Sequence, residues 1–182
     1  MKLDGFRALA RRRGPRVELL SRTGRSMGDQ FPEIVAALLD VPGDWTLEAE
    51  LVVRDERGHP SFEQVRRRAL MRRQVTIAGA ASETPAALCV FDVLSIGPRD
   101  LRSMPQAKRK EHLAALLPDI PGTQCVPWLK AHGEALFEKA VELDIEGVVA
   151  KRLDSPYRAG AQLAWLKIKN RRYSRGAVEF RR

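Results

Sequence analysis

A lysine, an acid, a glycine and an arginine fall within six residues at the start of the chain, Lys2-Leu3-Asp4-Gly5-Phe6-Arg7. That spacing puts an amine, a carboxylate and a guanidinium near one turn, with Gly5 permitting close backbone approach. A lysine attacks as a nucleophile only when neutral, so a working Lys2 needs cationic neighbours or burial. Taken alone, the string also reads as a solvated charged terminus. Further along, Ser21-Arg22-Thr23-Gly24-Arg25 ends a predicted strand, a usual place for a phosphate-facing arginine. Glu50 stands inside the apolar run Leu47-Glu48-Ala49-Glu50-Leu51-Val52-Val53, and Phe91 inside Cys89-Val90-Phe91-Asp92-Val93-Leu94. Glu146-Gly147-Val148-Val149-Ala150-Lys151 and Trp165-Leu166-Lys167-Ile168-Lys169 complete the set. Each has a structural reading of its own. Glu50 would be an exposed strand-face carboxylate, Phe91 a core residue, and Lys167 with Lys169 one solvated edge.

The elements that must position these residues are legible in outline. Period-two alternation predicts strands over 15–22 and 45–53, and the apolar, β-rich run 87–95 predicts a buried strand. Two short strands are expected at 147–151 and 164–169. Helices are expected at 32–39, with Pro32 in the first turn, and at 61–70, with Ser61 as cap and Gln64 three residues on. Two more are expected at 104–117 and 132–143, the second with Leu136, Ala140 and Leu143 on one face. Residues 152–163 read as a Pro/Gly loop. Strands and helices mix without strict βαβ alternation, which predicts an α+β fold of largely antiparallel sheets flanked by helices.

The chain has 182 residues, 44% apolar and 30% charged, a globular rather than a disordered composition. Its 32 Lys+Arg against 23 Asp+Glu leave +9, which favours a polyanionic partner, and nucleic acid over membrane for want of a basic amphipathic anchor. No run approaches the roughly 18 apolar residues of a membrane span, and no signal-peptide core is present. Cys89 and Cys125 stand apart without ligand-spaced neighbours, which argues against a disulfide framework or zinc knuckle and for a reducing cytosol.

Taken together and in this order, the strings resemble the six collinear motifs of the covalent nucleotidyltransferases: ATP-dependent DNA ligases, RNA ligases and mRNA capping enzymes. The resemblance runs from Lys2 to Lys169. Ser21-Arg22-Thr23-Gly24-Arg25 leading to Phe31-Pro32-Glu33-Ile34, the Pro60-Ser61-Phe62-Glu63 turn, and Lys151-Arg152-Leu153-Asp154-Ser155-Pro156-Tyr157-Arg158-Ala159-Gly160 resemble the bacterial end-joining DNA ligases in particular. The resemblance implies an ATP-grasp-like adenylation domain over 1–170, two sheets around a nucleotide cleft. It implies that Lys2 attacks the α-phosphate of ATP, that Asp4 and Arg7 belong to the nucleotide motif, and that Arg22 engages substrate phosphate. Glu50 would contact the ribose and a metal, Glu146 the metal, and Phe91 the adenine, with Lys167 and Lys169 around the α-phosphate. ATP and Mg²⁺ (or Mn²⁺) are the implied cofactors, nicked double-stranded DNA the implied partner, and the bacterial cytosol and nucleoid the implied compartment.

Three departures accompany the match. The family's Asp-Gly-Glu motif is here Glu48-Ala49-Glu50. A lead-in strand usually precedes the nucleophile, and an oligonucleotide-binding (OB-fold) barrel usually follows the last motif. The expectation is therefore an adenylation core without those parts, with residues 171–182 a basic stub toward the barrel, which a separate chain or other end-joining proteins would supply. Arginine clusters at 11–13, 66–68, 72–73 and 171–172 could follow a duplex backbone without reading sequence. Arg22, Arg25, Arg66, Arg67 and Arg72 are the expected DNA contacts. An RNA ligase, a capping-type guanylyltransferase and a non-catalytic nucleic-acid-binding remnant remain as alternatives, the first two separable by nucleotide choice.

Overall fold

Alternation of short and long side chains shapes the first hairpin. In β1 (Phe6–Arg13) Ala8 and Ala10 are buried, and β2 (Arg16–Ser21) pairs antiparallel with it and buries Leu19. The chain is described here by a computed structural model covering residues 1–117, 120–160 and 164–174. β1 also pairs antiparallel with β3 (Trp45–Val53), and β3 with β4 (Ala86–Ile96), the longest strand. The short β5 (Arg99–Asp100) and β6 (Thr123–Cys125) share the far edge of β4, β6 in parallel. The large sheet therefore runs β2-β1-β3-β4-β5, with β6 joined to β4.

Four helices have clear local causes or contacts. α1 (Pro32–Leu39) starts on Pro32, whose missing N–H is an orphan in a first turn anyway, and buries Ile34 and Leu38. α2 (Phe62–Ala69) is capped by Ser61, whose Oγ accepts from the Gln64 amide at 3.4 Å. α3 (Gln74–Glu83) follows, burying Ile77 alone. α4 (Gln106–Leu116) lies against β4. Trp45, Leu47, Leu51, Leu88, Val90 and Val93 from the sheet meet Phe31, Ile34, Leu38, Val65 and Leu113 in one core, all fully buried.

A second, two-stranded antiparallel sheet holds β7 (Gly147–Lys151) and β8 (Trp165–Lys169), and α5 (Gly133–Glu142) contacts β7. The Lys2 amide donates to the Gly147 carbonyl at 2.7 Å, an antiparallel bridge that ties the start of the chain to this sheet. Gly147 has φ +146°, and a Cβ there would strike the Ile168 carbonyl of β8, so only glycine fits the seam.

The two largely antiparallel sheets match the expectation, β6 being the one parallel exception among the described strands. Four elements were not expected: β1, whose first residues read as part of a charged start to the chain, α3, β5 and β6. Residues 161–163 of the expected loop, and 175–182 of the expected stub, lie outside the described residues. Residues 171–174 form a turn in which the Ser174 amide donates to Asp144 at 2.9 Å. Among the described residues, no helix is long and apolar enough to cross a membrane.

Candidate active site

The antiparallel register of β1 and β3 sets Arg7 opposite Glu50, with Glu48 two residues along the same strand face. Arg7 bonds Glu48 rather than Glu50: Nε and Nη2 both donate to Glu48 Oε1, at 3.1 and 2.6 Å. Tyr157 Oη donates to the same oxygen at 2.9 Å, while Glu48 Oε2 is buried without a partner. The Arg7 guanidinium stands 4.7 Å from the Phe91 ring centroid and 5.1 Å from that of Trp165.

The Lys2–Gly147 bridge brings the Lys2 amine onto the Glu146 carboxylate, with which it forms an ion pair. Glu50 lies close enough to Lys2, Glu146, Arg7 and Lys167 for all four to act on its charge. Burial pushes the Glu50 carboxyl up to about 7, Arg7, Lys2 and Lys167 oppose the rise, and Glu146 adds to it. Five of the expected residues, Lys2, Arg7, Glu50, Glu146 and Lys167, thus share one neighbourhood, and Phe91 joins it through Arg7. Lys169, opposite Gly147, lines a groove of about 360 Å³ with Phe137, Val141 and Arg172.

Asp4 stands differently. Its Oδ2 accepts from the Phe62 amide at 3.3 Å and from Tyr173 Oη at 3.4 Å, so it secures the first turn of α2. Arg22 and Arg25 are exposed on the turn after β2, which closes through the Ser21 amide donating to the Arg25 carbonyl at 2.8 Å. Arg66, Arg67 and Arg72 are exposed on and after α2. Arg68 leaves the expected 66–68 cluster. It is buried, chelated by both Glu33 oxygens at 3.0 and 2.9 Å, and donates to the Gln30 carbonyl, because its helix position faces α1 rather than solvent.

Lys151, Tyr157 and Trp165 carried no individual role in the sequence, yet they pack around Arg7, Glu48 and Phe91. Lys151 Nζ lies 3.8 Å from the Trp165 centroid and 4.3 Å from that of Phe91, without a hydrogen-bond partner, and burial pulls it down to about 7. Trp165 Nε1 is likewise buried and unpartnered. Three orphaned polar atoms, Glu48 Oε2, Lys151 Nζ and Trp165 Nε1, therefore belong to the same cluster of side chains around Arg7 and Phe91. Each such orphan costs on the order of 1–3 kcal/mol unless a ligand or water satisfies it. Lys151 closes the Glu146-Gly147-Val148-Val149-Ala150-Lys151 string, so its chemistry was visible in the sequence. Tyr157, inside a Pro/Gly loop, gave no periodic signal.

Residues 1–169 match the family described as ATP dependent DNA ligase domain. The chain belongs to that family. Among relatives of this ATP-dependent DNA ligase domain, a probable DNA ligase of Streptomyces avermitilis is 37% identical over 175 residues, covering 92% of the chain and 34% of that protein. Of solved structures, the ligase domain of M. tuberculosis LigD aligns with a TM-score of 0.76 at 29% identity, over 92% of this chain and 52% of that one. A mycobacterial DNA ligase D complexed with ATP and MES aligns with a TM-score of 0.75 at the same identity and coverage. The chain thus spans about a third of that curated relative and about half of each aligned structure. As an ATP-dependent DNA ligase domain it presents the large sheet, the small sheet and the seam between them at which Lys2 stands.

Proposed function

We propose that this domain performs the adenylation step of an ATP-dependent DNA ligase. The ion pair between Lys2 and Glu146, beside Glu50 and Lys167, is the observation that carries the reading. ATP would lie with its base on Phe91, and its ribose hydroxyls and ring nitrogens would give Glu48 Oε2, Lys151 Nζ and Trp165 Nε1 the partners they lack. Lys2 Nζ would form a bond to the α-phosphorus while the bond to the bridging oxygen breaks. Pyrophosphate would leave with that electron pair, and the amine proton would pass to solvent. Lys167 and Lys169 would offset charge on the α-phosphate, and Arg7 would hold phosphate or ribose oxygens. AMP would then pass to the 5′-phosphate of nicked duplex DNA, and the 3′-hydroxyl would close the nick with release of AMP.

Glu50 and Glu146 fit Mg²⁺ or Mn²⁺, since two carboxylates near a phosphate chain leave the remaining positions to water and phosphate oxygen. Bound there, the metal would offset α-phosphate charge and draw Glu146 off Lys2. Arg22, Arg25, Arg66, Arg67 and Arg72 would follow the DNA backbone. An OB-fold partner domain and a role in end joining belong to the same proposal.

The test is incubation of the purified chain with ATP and Mg²⁺, followed by intact-mass measurement. One added AMP is expected on Lys2, none on the Lys2→Ala variant and none with GTP. Labelling by GTP would move the reading to a capping-type enzyme. Absence of any Lys2-dependent adduct would remove catalysis by this chain alone.

A further inference from the structure

We propose that Tyr157 is a positioning residue of the nucleotide site, setting the place of the Arg7 guanidinium through Glu48. The proposal rests on the reading that Arg7 contacts the nucleotide.

The geometry at Glu48 carries it. One oxygen, Oε1, takes three donors, Arg7 Nε, Arg7 Nη2 and Tyr157 Oη, while Oε2 takes none. The terminal torsion of a glutamate is broad and roughly two-fold, so a carboxylate held by arginine alone exchanges its oxygens with little penalty. A donor fixed on the far side removes that freedom. Tyr157 keeps Oε1 on Arg7 and leaves Oε2 for a ligand hydroxyl.

Tyr157 suits this because its own place is tied to the core. Its amide donates to the Arg102 carbonyl at 2.7 Å. Two residues earlier, the Ser155 carbonyl accepts from the Gln106 amide at 2.9 Å and from Arg109 Nη1 at 3.3 Å. The Leu153 carbonyl accepts from the Ala107 amide at 3.0 Å. The loop thereby caps the first turn of α4 and is held by Arg109, itself locked to Asp92 in a fully buried pair. Arg109 also lies 5.9 Å from the Tyr157 ring. A tyrosine on a clamped loop can fix a neighbour, whereas Arg7, with a side chain 35% exposed, cannot fix itself. Burial, reinforced by Glu48, pushes the Tyr157 hydroxyl up to about 12, so it remains a donor throughout the neutral range.

The experiment is a double-mutant cycle on ATP affinity, measured by titration calorimetry on the purified chain, with Tyr157→Phe, Arg7→Ala and both together. Phenylalanine keeps the ring packing and removes one hydrogen bond to a charged group. Affinity should fall about tenfold in Tyr157→Phe, with the melting temperature nearly unchanged. In the Arg7→Ala background the same change should cost clearly less than in wild type, because the guanidinium that Tyr157 positions is gone and only the contact of Glu48 with the nucleotide remains. Arg7→Lys provides a second background should the alanine variant fold poorly. Wild-type affinity in Tyr157→Phe, or an equal loss in both backgrounds, would overturn the proposal while leaving the nucleotide reading intact. Failure of the wild-type chain to bind ATP would bring down both.

Discussion

Arg7 and Glu50 face each other across β1 and β3, yet the Arg7 guanidinium reaches diagonally to Glu48. Glu50, half-buried, is left without an ion-pair partner among the described residues, and desolvation pushes its carboxyl up from its ordinary 4.5 to about 7. A metal ion needs its ionised form. Apparent Mg²⁺ affinity should therefore drop about tenfold between pH 8 and pH 6, as the ionised fraction falls from most to about a tenth. Glu50→Gln should bind weakly and flatten the profile, as calorimetry at several pH values would show. Stability should move in the other direction. Between about 4.5 and 7 the native state keeps a proton that the unfolded chain releases, so stability falls as pH rises through that window. In Glu50→Gln that fall should vanish.

Arg109 and Asp92 are both fully buried, and their pair is bidentate at 2.9 and 3.0 Å. Arg109→Met should lower stability by about 3–5 kcal/mol, because it strands the Asp92 carboxylate in the core. Adding Asp92→Leu should recover most of that loss, an order of effects that urea titration of the three variants would reveal.

Arg67 and Arg68 are neighbours in α2 with opposite expectations. Arg68→Ala should destabilise the fold by about 2–4 kcal/mol, since Glu33 loses its chelated guanidinium and Gln30 its donor. Arg67→Ala should leave the melting temperature unchanged. It should instead reduce the salt dependence of nicked-duplex binding, with the slope of log K against log salt shallower by about 0.9 for each phosphate contact removed. Fluorescence anisotropy at several salt concentrations separates the two; equal slopes for wild type and Arg67→Ala would exclude Arg67 from the DNA surface.

Gly147 sits where β8 leaves no room for a side chain. Gly147→Ala should displace β8 from β7, carry Glu146 away from Lys2 and reduce lysine adenylation more than tenfold. The large sheet should survive, so far-UV circular dichroism should change little. Adenylation at the wild-type rate in that variant would show that the seam tolerates a looser register.

The elements that announce themselves are those whose chemistry is local. β3 and β4 show in their apolar runs, α1 in Pro32 and α2 in Ser61, and all four stand within a residue or so of their expected bounds. β1 was hidden because only two alanines mark its buried face while Arg11-Arg12-Arg13 dominate its character. α3 was hidden because a helix burying one isoleucine has no periodic stripe to read. At the site, the motif residues were legible by type and order. The pairing of Arg7 with Glu48, the burial of Arg68 and the reach of Tyr157 depend on which strand or loop lies alongside, and one sequence carries no record of that.

The place of Lys2 is closed by a partner very distant in the chain: Lys2 and Glu146 are 144 positions apart. Closing a loop of that size demands entropy that the hairpin of β1 and β2 does not, so the bridge at Gly147 belongs to the late part of folding. The same asymmetry operates in reverse. A chain under mild stress can release Lys2 from the small sheet while the core around Trp45 stays packed, and chemical competence is then lost before bulk structure. The Lys2 amide would exchange its hydrogen ahead of those of β3 and β4, and the working life of the protein would be set by this seam rather than by its melting point.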